Sequence, residues 1–215
     1  MSLSSEIKAQ LNQYLVNLKT SIVIDAFIDE SEASANMSEL LAELTEMTEK
    51  ISLNIHKDTD ERTPSFKINK PNESTGIQFA GIPLGHEFSS LVLAILQVGD
   101  HPLKISEDLI GQIKNIEGNF VFETFISLSC HNCPDVVQAL NILSLLNPNI
   151  SHCMIDGALF QDEVKRKKIM SVPTVFLNDN EFGQGRMELE EIINKLDTNS
   201  AEKKAEQITQ KELFD

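Results

Sequence analysis

Ser127-Leu128-Ser129-Cys130-His131-Asn132-Cys133-Pro134 stands between two runs of opposite character. Before it lie strand-formers, Phe120-Val121-Phe122-Glu123-Thr124-Phe125-Ile126, and after it come Val136, Val137, Leu140 and Leu143 at helical spacing. A Cys-x-x-Cys at a strand-to-helix junction can close a small reversible disulfide and reads as a redox dithiol. The free N–H groups and dipole of a helix N-terminus favour negative charge there. Cys130, the more N-terminal thiol, is therefore expected to ionise more easily than a free cysteine, and the thiolate is the reactive form. Cys133, one turn into the helix, is expected to be the less exposed, resolving thiol.

Two other readings of the pair stay open. A zinc site needs about four ligands, and beyond the pair the chain offers only His131, His152, Cys153 and a few scattered histidines. The pair could also be two buried cysteines without chemistry. Covalent haem is excluded, because it requires His directly after the second cysteine and Pro134 stands there. Cys153 lies in an apolar strand and reads as a small core residue.

At 215 residues the chain has room for one large or two small domains, and 41% hydrophobic residues suffice for real cores. No window approaches the roughly 18 uninterrupted apolar residues of a membrane span. The start, Met1-Ser2-Leu3-Ser4-Ser5-Glu6-Ile7-Lys8, lacks the basic flank and apolar stretch of a signal peptide. Three cysteines, two of them a reactive pair, make no disulfide framework, so a reducing cytoplasm is expected. A net charge of -15 argues against nucleic acid or an anionic membrane as partner; it favours solubility or a basic docking partner.

Periodicity predicts helices over 3–18, 32–50, 81–96, 105–116, 134–146, 158–169 and 187–196, and strands over 21–28, 51–56, 64–69, 77–80, 120–126, 150–155, 172–177 and 181–183. Ala26-Phe27-Ile28 matches Thr124-Phe125-Ile126 at a shift of 98 residues, and Thr63-Pro64-Ser65-Phe66 matches Val172-Pro173-Thr174-Val175 at a shift of 109. The chain thus reads as an internal repeat whose first copy has lost the counterpart of helix 158–169. At the shift of 98, Cys130 falls on Glu32 and Cys133 on Ala35, so the first copy has no dithiol. Strand–helix–strand followed by a hairpin and a helix is a thioredoxin-like α/β plan, here in tandem. Pro64 and Pro173 open the third strand of each copy, as cis prolines or as ordinary trans ones. The expected division is 1–100 for the copy without a dithiol, 101–197 for the copy with it, and a polar 198–215 read as a linker.

Ser129-Cys130-His131-Asn132-Cys133-Pro134-Asp135-Val136-Val137-Gln138-Ala139-Leu140-Asn141 closely resembles the N-terminal domain of the F component of bacterial alkyl hydroperoxide reductase. So do Phe79-Ala80-Gly81 with Pro83-Leu84-Gly85-His86-Glu87-Phe88, and Glu181-Phe182-Gly183-Gln184-Gly185-Arg186-Met187. The resemblance implies two tandem thioredoxin folds, the first without cysteines. It implies a thiol–disulfide carrier passing electrons from a flavoprotein module of the same full-length chain to a two-cysteine peroxiredoxin. FAD and NAD(P)H would belong to that module, since this chain has no Gly-x-Gly-x-x-Gly and no second dithiol; no cofactor is expected here beyond the disulfide. The resemblance also implies a buried acid from the first fold near the dithiol, Glu87, as base for Cys133; the alternative is an exposed Glu in a helix first turn. Pro173 and Thr174 are expected beside the dithiol, with the Val172 backbone left to pair with a partner. His131 either steadies the thiolate or is simply solvated. The competing functions are a general protein-disulfide oxidoreductase and a non-enzymatic adaptor with a structural dithiol.

Overall fold

The computed structural model describes residues 3–196; the expected linker, 198–215, lies outside the described residues. Strands β1 (Ile22–Phe27), β2 (Ile51–His56), β3 (Ser65–Asn69), β4 (Ile77–Ala80), β5 (Phe120–Ile126), β6 (Ile150–Asp156), β7 (Thr174–Leu177) and β8 (Asn180–Gln184) form one sheet. Their order is β2-β1-β3-β4-β6-β5-β7-β8. Each half repeats the same pattern: a parallel pair (β1 with β2, β5 with β6), then two antiparallel neighbours. The halves join edge to edge through parallel pairing of β4 with β6, Ile77 opposite His152 and Ala80 opposite Ile155. These are two tandem thioredoxin-like folds sharing one sheet.

The helices are α1 (Ser5–Leu15), α2 (Glu32–Met47), α3 (Phe88–Val98), α4 (Glu107–Lys114), α5 (Cys133–Leu146), α6 (Gln161–Arg166) and α7 (189–196). Strand alternation decides which face each covers. In the first half Ile22, Ile24, Ala26, Phe66, Ile68, Ile77 and Phe79 point to one face, into a core closed by α1, α2 and α3. That core continues into the second half through Ile126, Cys133, Val137 and Met154, where α3 packs on α5. A second core under α4, α5 and α7 gathers Phe122, Leu140, Leu143, Val175 and Ile192.

The opposite face shows the missing helix. In the second half α6 and its flanks, through Phe160, Val164 and Ile169, cover Phe125, Cys153, Ile155 and Phe176. The first half has no helix between β2 and β3, and the strand positions facing that way are mostly polar: Asp25, Lys67, Asn69 and Gln78. Arg62, from the loop that replaces the helix, reaches across the junction. It grips both oxygens of Glu163 on α6 (2.7 and 2.8 Å) and donates to Glu123 on β5 at 2.5 Å. Lys167 completes the group 3.3 Å from Glu123.

The strands fall where the periodicity places them to within about two residues; α6 is shorter than 158–169. Its start is delayed by the turn at Gly157–Leu159, and it ends at Arg166 because Lys168 adopts a left-handed backbone, φ 55°. Among the described residues no helix is long and apolar enough to cross a membrane.

Candidate active site

The chain leaves β5 at Ile126 and enters α5 at Cys133, and the turn between them carries the first cysteine. The Cys130 N–H closes that turn on the Ser127 carbonyl at 2.9 Å. Pro134 sits in the first turn of α5, where a missing N–H costs nothing. The N-cap residue Asn132 makes no side-chain capping bond, so no side chain of its own competes for the first-turn N–H groups. Cys130 and Cys133 are joined as a disulfide, Cα to Cα 5.6 Å. Cys130 is half-buried and Cys133 fully buried. An incoming disulfide therefore meets Cys130 first.

The wall on one side comes from the second half. The Val172–Pro173 peptide is cis, as is Thr63–Pro64 in the first half. The Val172 carbonyl oxygen lies 3.8 Å from Cys130 Sγ; that sulfur has a proton to donate only once the pair is reduced. Pro173 is buried, and its carbonyl accepts from Gly185 N–H at 2.8 Å. The Thr174 hydroxyl donates to the Ser171 carbonyl at 2.7 Å and so ties the loop ahead of the cis proline.

The wall on the other side comes from the first half, through the 3-10 turn Gly85–Glu87 ahead of α3. The His86 N–H donates to the Leu128 carbonyl at 3.0 Å. Gly85 has φ +58°, and a Cβ there would stand 2.6 Å from the Leu128 oxygen, so only glycine permits this approach. The His86 ring rests on the His131 ring, centroids 4.1 Å apart. One turn on, Gln138 of α5 donates to the Ser89 and Ser90 hydroxyls at 3.2 and 3.3 Å.

Glu87 sits inside this contact. Its exposure is 0%, and neither carboxylate oxygen has a hydrogen-bond partner within normal distance among the described residues. Its sequence neighbours Leu84 and Phe88 pack in the same apolar cluster as Leu128, Cys130 and Cys133. Burial pushes its pKa up to about 7, with the Ser90 hydroxyl offsetting only part of that. The exposed-glutamate alternative is thereby excluded.

A second buried polar group lies beneath α5. His152 on β6 bonds Asn141 through Nδ1 at 2.7 Å and Thr124 through Nε2 at 2.8 Å. The Asn141 oxygen can only accept, so Nδ1 carries the proton and Nε2 accepts from the Thr124 hydroxyl. Burial depresses this histidine to about 3. Cys153 beside it is buried and free, its thiol pushed up to about 12, also by burial.

The corresponding corner of the first half is filled by oxygen. Counted from the helix starts, the place of Cys130 falls to Asp29, not Glu32, because six residues (127–132) lie between Ile126 and α5 and only three (29–31) between its counterpart Ile28 and α2. Asp29 Oδ1 accepts from the Ser31 and Ser34 hydroxyls at 2.5 and 2.6 Å. Thr63, the residue before the cis proline, donates to Oδ2 at 3.0 Å. These bonds, from Ser31 first, hold the carboxyl well below the usual carboxylate range.

Of the residues expected at the site, Cys130 and Cys133 are bonded to each other, His131 meets His86, Glu87 is buried one residue on from His86, Pro173 follows the Val172 carbonyl that reaches Cys130, and the Thr174 hydroxyl is tied to Ser171. The sequence pattern did not single out His86, Asp29 or Arg62. The Gly85-His86-Glu87 string was the only available signal for His86, because the contact with His131 crosses between the two folds.

The thioredoxin-domain family matches residues 122–198. The F component of alkyl hydroperoxide reductase from Xanthomonas campestris pv. phaseoli is 54% identical over 213 residues, 99% of this chain and 40% of that protein. A Bacillus subtilis protein named NADH dehydrogenase is 52% identical over 215 residues, 100% of this chain and 41% of its own length. The chain thus spans about two-fifths of the curated relatives it matches. In structure it is similar to the NTD_N/C domain of alkylhydroperoxide reductase AhpF from Enterococcus faecalis, with a TM-score of 0.84 and 33% identity, covering 91% of this chain and 100% of that one.

Proposed function

As the chain belongs to the family of N-terminal domains of the alkyl hydroperoxide reductase F component, we propose that it carries electrons between disulfides, accepting them from a flavoprotein reductase module and delivering them to a two-cysteine peroxiredoxin. The observation that carries this reading is the asymmetric pair, Cys130 within reach of solvent and Cys133 sealed, with the buried Glu87 carboxyl on the turn that joins the Leu128 carbonyl. FAD, fed by NAD(P)H, would supply the electrons that open the 130–133 disulfide, on a module joined through 198–215. The two folds are assigned to 1–100 and 101–197, working in the reducing cytoplasm.

In the reduced chain the Cys130 thiolate attacks one sulfur of the partner's disulfide, forming a mixed disulfide and releasing the partner's other sulfur as a thiolate. Cys133 gives its proton to Glu87, whose pKa of about 7 lets it accept near neutrality. The Cys133 thiolate then attacks Cys130 Sγ, closing the 130–133 bond and freeing the second partner sulfur. One dithiol is oxidised and one disulfide reduced. His131, backed by the His86 ring, lies beside the more exposed sulfur and steadies its thiolate when protonated. The exposed Val172 backbone offers an edge for the partner segment.

The test is thiol counting by intact mass after alkylation, in glutathione and dithiothreitol buffers of graded potential, with zinc assayed on the same sample. The expected result is a single two-electron transition mapping to Cys130 and Cys133 in metal-free protein. Stoichiometric zinc, or thiols that stay unpaired over the whole range, would overturn the carrier reading.

A further inference from the structure

The surface beside the dithiol has a charge opposite to that of the whole molecule. The chain carries a net charge of -15, yet α6 and the turn after it present Lys165, Arg166, Lys167 and Lys168 in succession. Lys167 is committed to Glu123 and Asp179, its ammonium over the Phe176 ring. The other three are exposed. Arg166 has only a 3.7 Å contact with Glu163, whose carboxylate is already held bidentately by Arg62. Among the described residues no carboxylate pairs with Lys165 or Lys168. Asp162 is the remaining opposing charge on α6.

This strip leads straight to the sulfurs. From Lys168 the chain runs through Ile169, Met170 and Ser171 to Val172, four residues that span at most about 14 Å. The Val172 carbonyl lies 3.8 Å from Cys130 Sγ. Met170 is 92% exposed and Val172 37%, while Ile169 between the strip and them is packed inward. The Lys168 backbone is thus within about 20 Å of the reacting sulfur, roughly two screening lengths at about 0.1 M salt.

We propose that Lys165, Arg166 and Lys168 form a docking strip selecting disulfide-bearing segments with carboxylates close to the cystine, Met170 receiving an apolar side chain of the same segment. The inference deepens the carrier reading and rests on it: it names the partner's chemistry at the same dithiol. It also reverses what net charge alone suggests, since a molecule at -15 would draw basic partners from a distance. Long-range charge acts against the strip, and contact-range charge acts with it. The chemistry is unchanged: the reduced 130–133 dithiol becomes a disulfide, and the bound segment's cystine becomes two thiols.

The experiment uses the reduced chain and three cystine peptides of equal length, flanked by Asp and Glu, by Lys, or by Ser, with peptide thiol release followed by mass. At about 0.15 M salt, where a Debye length of about 8 Å screens the net charge of the molecule more than contact-range pairs, the acidic peptide should be reduced roughly three- to tenfold faster than the basic one, and about 1 M salt should erase the difference. In Lys165→Glu/Lys168→Glu the preference should invert; in Lys165→Gln/Lys168→Gln it should vanish. The serine-flanked peptide should react at an unchanged rate in both variants, which shows that they fold and exchange normally. Equal rates for the acidic and basic peptides in the unaltered chain, or a preference that survives both substitutions, would overturn the docking strip while leaving the carrier intact. No reaction with any peptide would remove both.

Discussion

Two helix N-termini in this molecule face the residue before a cis proline, and they hold different things. At α5 the occupant is sulfur, with Val172 opposite and no side-chain cap. At α2 it is the Asp29 carboxylate, held by Ser31, Ser34 and Thr63, with Ser31 also capping Ser34 N–H. The fold supplies the same electrostatic corner twice, since a helix N-terminus welcomes negative charge whatever its source. In the first half that corner is filled by a permanent side-chain anion, and in the second it is left for a charge that comes and goes with redox state. The half without a dithiol still touches the other at the turn before α5, through the His86 ring on His131 and the His86 N–H on the Leu128 carbonyl.

The sharpest way to test this division is to remove the sulfur. Cys130→Ser should lose exchange with cystine peptides to background, whereas Cys133→Ser should stall at a mixed disulfide visible by intact mass. Asp29→Ala should leave both reactions at the rate of the unaltered chain.

The next largest effect concerns the joint between the halves. Arg62→Ala would leave Glu123 and Glu163 facing each other, partly buried, without their shared cation. A loss of about 3 kcal/mol is expected from urea unfolding, with the two halves no longer melting as one transition in calorimetry.

The halves should also answer pH in opposite directions. Glu87 is raised to about 7, so between its unfolded value near 4.5 and 7 the folded state binds the extra proton. Its stabilisation is full below 4.5 and lost as pH rises through 7. Glu87→Gln should therefore be more stable than the unaltered chain above pH 7 by about 2–3 kcal/mol, with the gain absent near pH 4. The same variant should slow resolution of the mixed disulfide on the order of 10²-fold at neutral pH. His152 is depressed to about 3, so the unfolded chain binds the extra proton between 3 and 6.5. Its contribution is full above 6.5 and falls by about 1.4 kcal/mol per pH unit below it. His152→Asn should flatten that acid limb of the urea midpoint.

The smallest effect belongs to the oxygen-filled corner itself. Asp29→Ala removes a buttress of the Ser31 cap, and about 1 kcal/mol of stability should go with it, read from the urea midpoint at pH 7. If exchange at Cys130 also slowed, the two corners would not be independent.

Local order was enough to show the strands, most helices, the dithiol and the repeat, because alternation, 3.6-residue spacing and Cys-x-x-Cys are written in neighbouring residues. The length of α6 was less legible, since the left-handed turn at Lys168 that ends it carries no glycine to announce it. Alignment by strand residues puts Glu32 opposite Cys130; the three extra residues between Ile126 and α5 shift that to Asp29, a matter of backbone path rather than of composition.

Residue order alone dictates that the chain builds two related α/β units and that just one of them can carry a redox disulfide. Everything that depends on the units meeting comes from the folded molecule: the continuous sheet through β4 and β6, the burial that makes Glu87 a neutral-range acid, the His86–His131 contact and the Arg62 clamp. The physical reason is range. Periodicity and motif chemistry act over a few residues, whereas burial and ion pairing between positions about 40 to 100 residues apart exist only once the chain has closed on itself.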